Sequence, residues 1–167
     1  DISFKINQGE KVAFVGATGA GKSSIMNLLC RFYDTQKGEI TIDGINIKDL
    51  KQNELRRNIG LVVQDIFLFS DSIANNISLN NNDISPEKIK EAASIIGINN
   101  FIDKLPLGYG QNVKERGVTL SQGERQLITF ARALAYDPKI LILDEATSSV
   151  DTHSEILIQK AIDKLMD

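Results

Sequence analysis

The order of apolar and polar positions predicts an α/β chain. Apolar and polar residues alternate over 2–6 and 39–43, which is typical of strands with one buried face. Apolar runs at 11–15, 59–63 and 139–143 predict three more strands, and a continuous run favours a strand that is covered on both faces. We expect these segments to form a mixed sheet.

Helical spacing follows several of these strands. Ile25, Leu28, Leu29 and Phe32 recur on one face of a helix that starts near Gly21. The same spacing predicts further helices at 50–57, 72–79, 85–96, 99–104, 121–135 and 152–166. We therefore expect a helical subdomain over 66–133, inserted into an α/β core formed by 1–65 and 134–167.

Turn and cap residues mark the ends of these elements. Asp43-Gly44 predicts a tight hairpin turn, because both central residues of the favoured turn need positive φ. Ser85 and Pro86 predict the first residues of one helix, and Gly97 predicts its C-terminal end.

Composition limits the classes of protein that the chain can belong to. Its 167 residues are enough for one domain with a hydrophobic core, and no apolar run approaches the roughly 18 residues of a transmembrane helix. The net charge of −3 gives no general affinity for nucleic acid. The single cysteine, Cys30, gives no disulfide framework and favours an intracellular compartment.

A glycine-rich loop joins the second predicted strand to the first helix. Residues 16–23 read G-A-T-G-A-G-K-S and match the phosphate-binding pattern G-x-x-x-x-G-K-[ST] without a mismatch. Glycine lets backbone N–H groups approach phosphate oxygens, Lys22 supplies a positive charge for the β- and γ-phosphates, and the Ser23 hydroxyl is suited to Mg²⁺. We expect the phosphates of a nucleoside triphosphate to be bound by Gly16, Ala17, Thr18, Gly19, Ala20, Gly21, Lys22, Ser23 and Ser24.

Two carboxylates follow the apolar strand 140–143. Asp144 and Glu145 lie where a parallel strand ends, and ligands of open α/β sheets bind at such ends. Asp144 would hold Mg²⁺, with Ser23, and Glu145 would polarise the attacking water. A capping pair after a core strand would look the same, but it would not explain the glycine loop.

The segment 120–126 is the most discriminating, and with the motifs above it resembles the ATP-binding-cassette (ABC) ATPase family. The family signature is Leu-Ser-Gly-Gly-Gln, and here residues 120–124 read L-S-Q-G-E. The family order matches along the chain: the glycine loop, a strand-end Gln64, the signature, the carboxylate pair, and Asp151 in the position of the D-loop.

The signature departs from the family pattern at two positions. Gln122 replaces a glycine, and Glu124 replaces a glutamine. Ser121-x-x-Glu124 is also a capping box, so we expect the Glu124 side chain to turn toward its own backbone and away from a phosphate.

The resemblance implies a P-loop α/β core with an antiparallel β side-sheet and a helical insertion. It also implies that two such domains pair head to tail, so that Ser121, Gln122 and Gly123 of one close on the ATP held by the other. Gln64 would then contribute to catalysis and to the Mg²⁺ site, beside the catalytic Glu145 and Lys22. Asp151 would lie between the two domains.

Two segments narrow the resemblance to exporters. Residues 62–69 resemble the Gln-loop of exporter-type ABC proteins, and 115–117 (E-R-G) resemble their cross-contact loop. The resemblance implies ATP hydrolysis that powers export, a transmembrane domain in the same full-length polypeptide, and a place on the cytoplasmic face of the cell membrane. The family's adenine-stacking aromatic and switch histidine are expected outside these 167 residues, so we expect the chain alone to hydrolyse ATP weakly or not at all.

Two other functions remain open at this point. One is a soluble ABC ATPase that acts on nucleic acid or ribosomes, which the exporter-like segments and the acidic balance disfavour. The other is a non-hydrolysing regulatory half of an asymmetric dimer, which the presence of Glu145 disfavours.

Substitution of Glu145 tests the catalytic assignment. An amide cannot act as a general base, so Glu145→Gln should trap ATP and lower steady-state hydrolysis by about 10²–10⁴-fold in the full-length polypeptide. Near-normal hydrolysis by this variant would show that Glu145 is not the base.

Overall fold

The computed structural model describes residues 2–144 and 152–165. The α-helices in these ranges are α1 (Lys22–Leu29), α2 (Gln52–Arg57), α3 (Ile73–Ser78), α4 (Pro86–Ile96), α5 (Asn99–Ile102), α6 (Gln122–Ala135) and α7 (Thr152–Leu165). The strands are β1 (Thr41–Ile42), β2 (Ile45–Asn46), β3 (Ile59–Val62) and β4 (Ile140–Leu143), and single 3₁₀ turns lie at Gly108–Gly110 and Glu115–Gly117. No helix of the described ranges is long and apolar enough to cross a bilayer.

The strands form two separate pairs. β1 and β2 make an antiparallel hairpin whose turn residues, Asp43 and Gly44, both have positive φ (50° and 79°), as the sequence predicts. β3 and β4 are parallel, in a register that pairs Ile59 with Ile140 and Val62 with Leu143. The strand pairs therefore do not form the mixed sheet that the pattern predicts.

The strands predicted at 2–6 and 11–15 are not formed, and this part of the prediction is wrong. Within the described chain neither segment makes ladder hydrogen bonds, and the Val15 side chain is 94% exposed. The Phe4 and Phe14 rings contact each other at 5.2 Å between centroids. Alternating polarity makes a segment suitable for a sheet, but the segment becomes a strand only when a neighbouring strand supplies its hydrogen bonds.

Helix α6 lies at the centre of the hydrophobic core. It packs against α3, α4, α7 and β3. Its Ile128 and Phe130 side chains have no exposed surface, and burying a side chain of that size contributes about 1.5–3 kcal/mol. The core is continuous from Val62 of β3 to Ile158 of α7.

Local signals explain where α4 begins and ends. The Ser85 hydroxyl accepts a hydrogen bond from the Lys88 amide, and Pro86 occupies the first turn. Hydrogen bonds from its own backbone N–H and from Ser85 lower the pKa of the Glu87 carboxyl from its usual value. Gly97 ends the helix in the left-handed region with a φ of 82°. These ends agree with the sequence prediction.

A substitution at Gly60 of β3 tests the close contact between the parallel strands and the turn at Pro138. A Cβ on Gly60 would stand 2.8 Å from Pro138 Cγ and 3.2 Å from Leu141 Cδ1. We expect Gly60→Ala to lower the free energy of unfolding, measured in urea, by about 1–3 kcal/mol because of overpacking.

Gly110→Ala is the matched control. A Cβ at Gly110 would meet nothing within 4 Å, and its φ is not positive. Its effect should stay within about 0.5 kcal/mol, as for other exposed sites. Equal losses in the two variants would contradict the close contact at Gly60.

Candidate nucleotide-binding site

The glycine loop adopts a conformation that requires glycine. Gly19 and Gly21 have φ values of 83° and 94°, in the left-handed region that side chains disfavour. The Ala20 amide donates to the Ala17 carbonyl at 3.1 Å, which closes a tight turn. A Cβ on Gly16 would stand 3.1 Å from the Ala20 Cβ, so the loop leaves little room there.

The N-terminus of α1 offers free donors to an anion. Gly21 is the N-cap and provides no side-chain hydrogen bond, and the first turn contains no acidic residue. Among the described residues no acceptor is found for the backbone N–H groups of Lys22 and Ser23. Unsatisfied N–H groups and the helix dipole together favour a phosphate at this point.

The Lys22 ammonium lies over the loop. Its Nζ donates to the Gly16 carbonyl at 2.8 Å and to the Ala17 carbonyl at 3.2 Å. These contacts place the positive charge at the glycine loop, where it can neutralise phosphate oxygens.

The far end of α1 is fixed by α2. Arg56 of α2 donates to the Cys30 and Arg31 carbonyls at 3.1 and 2.9 Å, which satisfies free carbonyls at the helix C-terminus. Its guanidinium also lies 5.0 Å from the centre of the Phe32 ring. Burial raises the pKa of the Cys30 thiol, while the Arg56 charge lowers it. The helix behind the phosphate loop is thus held at its C-terminal end.

Ser23 and Asp144 meet although they are far apart in sequence. The Ser23 Oγ donates to Asp144 Oδ2 at 3.5 Å. Asp144 follows β4 directly, and its amide donates to the Val62 carbonyl at 2.9 Å, which extends the parallel ladder by one residue. The strand pair thereby carries this carboxylate to the first turn of α1.

These two oxygens suit Mg²⁺. The described ranges contain no group of three or more His, Cys, Asp or Glu residues that could enclose a metal. Mg²⁺ is usually held by one or two protein oxygens, and substrate phosphates and water complete its octahedron. The Ser23 and Asp144 pair fits that pattern.

Gln64 lies at the same edge of the strand pair. It is exposed and follows Val62 by two residues, and Val62 is the register partner of Leu143. Parallel strands end at one edge, so Gln64 and Asp144 come to the same side of the sheet.

Glu145 and Asp151 lie outside the described residues. Their expected roles therefore rest on the sequence alone.

The predicted capping box of α6 is present. The Glu124 Oε2 accepts from the Ser121 amide at 2.8 Å, and the Ser121 Oγ accepts from the Glu124 amide at 3.2 Å. The expectation that Glu124 turns toward its own backbone is thus confirmed. Gln122 is exposed and Gly123 is buried.

The structure does not join the signature to the glycine loop of the same chain. Within the described ranges no hydrogen bond links residues 120–125 with 16–24. The start of α6 is therefore a helix N-terminus separate from that of α1.

Sequence reasoning missed the polar contacts that hold residues 67–69. Arg132 of α6 and the fully buried Asn76 of α3 bond to the backbone of this segment. The signal in the sequence is an arginine four residues after the buried Ile128, on the core side of α6.

Comparison with known proteins decides the family. The family model described as ABC transporter matches residues 1–148. The chain belongs to the ABC transporter family.

Curated relatives of this ABC family are similar in sequence to almost the whole chain. The chain is 55% identical over 162 residues to the "Probable multidrug resistance ABC transporter ATP-binding/permease protein YheH" of Bacillus subtilis, covering 97% of this chain and 24% of the relative. It is 50% identical over 165 residues to the "Uncharacterized ABC transporter ATP-binding protein YknV" of the same organism, covering 99% of this chain and 27% of the relative. The chain thus spans about a quarter of these relatives.

A solved structure matches the fold. The structure of a bacterial Atm1-family ABC exporter with ATP bound superposes with a TM-score of 0.82 at 43% identity, covering 90% of this chain and 26% of that chain. The fold is therefore the P-loop α/β core with an antiparallel side-sheet and a helical insertion. The chain is similar to the ATP-binding part of exporter-type ABC proteins.

The capping box of this ABC domain gives a paired test. Glutamine can also close a capping box, so Glu124→Gln should leave the free energy of unfolding within about 0.5 kcal/mol of wild type. Glu124→Ala removes the bond to the Ser121 amide and should cost about 0.5–1.5 kcal/mol. Urea titration of both variants measures the difference, and equal stability of the two would contradict the role of the Glu124 side chain as a cap.

Proposed function

We propose that the chain binds Mg²⁺-ATP and hydrolyses it to drive export across a membrane, as one domain of a longer exporter polypeptide. The observation that carries this proposal is the contact of Ser23 Oγ with Asp144 Oδ2 at 3.5 Å, between residues 121 positions apart. It joins a phosphate loop to a strand-end carboxylate, and these are the two parts that Mg²⁺-nucleotide binding needs.

ATP phosphates would bind across the glycine loop and the first turn of α1. Free N–H groups of the glycine loop, with those of Lys22 and Ser23, would surround the phosphates. Lys22 would leave the Gly16 and Ala17 carbonyls to neutralise the β- and γ-oxygens. When bound, Mg²⁺ would neutralise the charge that develops on the transferred phosphoryl group. Ser23, Asp144 and Gln64 would hold it.

Hydrolysis would depend on two residues at the carboxyl edge of the strands. Glu145 would accept the proton of the attacking water, and Gln64 would orient that water through its amide. The exposed position of Gln64 beside the strand ends supports this assignment.

A second ABC domain would complete each site. Ser121, Gln122 and Gly123 lie at the start of α6, whose dipole favours an anion, and they are not joined to the phosphate loop of their own chain. Phosphate held by another copy or a related domain would meet them there, with Asp151 at the boundary.

The surface for a membrane domain would lie at residues 64–69. The Phe67 and Phe69 side chains are about half exposed (52% and 51%), and their rings meet edge to face at 5.0 Å. A rigid exposed aromatic pair is suited to a protein partner. Relatives are named ATP-binding/permease proteins, so we propose a transmembrane domain in the same polypeptide and a location on the cytoplasmic face of the membrane.

We also propose that the chain is divided into a nucleotide-binding core (1–65 and 134–167) and a helical subdomain (66–133). The two parts share a continuous hydrophobic core, because α7 packs against α4 and α6. Any movement between them would therefore be a small rotation of packed elements.

Ser121→Arg tests the site between two domains. The long cation would block close approach of the second domain, so ATP-driven dimerisation should be lost while nucleotide binding stays within about twofold of wild type. Cross-linking of full-length polypeptides with and without ATP measures the first, and binding of a fluorescent ATP analogue measures the second.

Asn82→Arg is the matched control, since it adds the same charge at an exposed position in the loop between α3 and α4. Dimerisation should persist in this control. If ATP still drives dimerisation of Ser121→Arg, the proposed role of the signature is wrong.

A further inference from the structure

Arg132 is a half-buried cation without a carboxylate partner among the described residues. Its guanidinium bonds to oxygens of two other segments instead. Nε donates to the Asn76 carbonyl at 2.8 Å, Nη1 to the Phe67 carbonyl at 3.2 Å, and Nη2 to Asn76 Oδ1 at 3.5 Å. Burial lowers the pKa of this guanidinium from its ordinary value, yet arginine stays charged in proteins. Removing this charge from water costs free energy, and the hydrogen bonds to Asn76 and Phe67 offset part of that cost.

Asn76 completes the same network. Its side chain is fully buried, and it bonds to both backbone groups of Phe69: Oδ1 accepts from the amide at 2.8 Å and Nδ2 donates to the carbonyl at 3.0 Å. Nδ2 also donates to the Ser72 carbonyl at 3.0 Å. Asn76 therefore pairs with Phe69 as a neighbouring strand would.

The segment between these anchors is also packed. Leu68 has no exposed surface, and its Cδ1 lies 2.8 Å from the place where a Cβ on Gly117 would stand. Residues 67–69 are thus fixed to α3, α6 and the 115–117 turn at three consecutive positions.

Gln64 has no such anchor of its own. It is exposed, and within the described ranges its side chain makes no hydrogen bond. Its position is set by Val62, which is fixed in β3, and by Phe67, which is fixed by Arg132. Only residues 63–66 lie between the two fixed points, so a shift of the Phe67 carbonyl can carry Gln64 with it.

We propose that Arg132 is a positioning residue for Gln64. This proposal rests on the function proposed above. It adds a connection between the signature at the start of α6 and Gln64 at the carboxyl edge of the strands. Helix α6 has Ser121 as its N-cap and Arg132 in its last turn, about 16 Å apart along the axis. A phosphate that displaces the Ser121 end tilts this rigid helix, and Arg132 and Asn76 transmit the tilt to residues 67–69 and so to Gln64.

Lysine cannot replace Arg132 in this network. Its ammonium is a point charge, whereas the planar guanidinium reaches acceptors on two segments at once. Arg132→Lys therefore keeps the charge and removes the bridge between α3 and the Phe67 carbonyl.

The test uses the full-length polypeptide with Arg132→Lys. We expect kcat for ATP hydrolysis to fall by about tenfold, since a misplacement of about 1 Å can cost up to about 10² in rate. The affinity for ATP without Mg²⁺ should stay within about twofold, because the phosphate loop is untouched and Gln64 is proposed to hold only the metal and the water. Amide hydrogen exchange of residues 63–69 should become faster in the nucleotide-free protein.

Two control variants separate positioning from loss of stability. Arg57→Lys changes an exposed arginine whose side chain makes no hydrogen bond within the described chain, and it should leave every readout unchanged. Ile96→Val removes one methyl group from a fully buried side chain, and it should lower the melting temperature without lowering kcat.

A double substitution tests the shared network. Asn76→Ala should lower kcat as Arg132→Lys does, and the double variant should be little slower than either, since both act on one segment. Multiplicative losses in kcat would overturn the shared link.

The outcomes also separate this inference from the proposed function. Absence of ATP hydrolysis in the wild-type polypeptide contradicts the proposed function, and the exchange measurement still decides the role of Arg132. Unchanged exchange of residues 63–69 in Arg132→Lys, or a kcat equal to that of wild type or of Ile96→Val, overturns the positioning role.

Discussion

The parallel pairing of β3 with β4 is the constraint on which the site depends. Its register sets Val62 beside Leu143, so that the segments carrying Gln64 and Asp144 leave the strand pair at the same edge. Asp144 then reaches Ser23, at the start of the helix behind the phosphate loop. Without the pairing, the glycine loop would remain an anion site with no carboxylate to complete it. The close approach of Gly60 to Pro138 shows how tightly this pairing is packed.

Helix α6 connects this edge with the rest of the molecule. Its N-terminus carries the signature serine within a capping box, and its last turn carries Arg132. The core around the helix is closely packed, with Ile128 and Phe130 fully buried. A closely packed helix moves as a rigid body, so a displacement of its N-terminus also displaces its C-terminal turn. The bonds of Arg132 and Asn76 to Phe67 and Phe69 then link α6 to the surface on which a membrane domain is proposed to bind.

Local sequence signals predicted much of the fold. The ends of α4, the capping box of α6 and the Asp43-Gly44 turn all follow from side-chain chemistry within a few residues. The failures concern pairing. The segments at 2–6 and 11–15 have the polarity of strands but not the hydrogen bonds, and the two strand pairs stay separate. Strand pairing depends on a partner strand that is distant in sequence, and the polarity pattern within one segment does not identify that strand.

The residue types alone indicate the chemistry: a loop suited to phosphate, a serine and a carboxylate suited to Mg²⁺, and the motif order of the ABC family. These properties reside in residue types at short spacings, where backbone geometry leaves few choices. Tertiary packing brings Ser23 to Asp144 and lets Arg132 hold the segment after Gln64. Within the described residues it forms no hydrogen bond between Ser121 and the glycine loop. Those relations join residues dozens of positions apart, and they are set by strand register and helix packing, which no local pattern encodes.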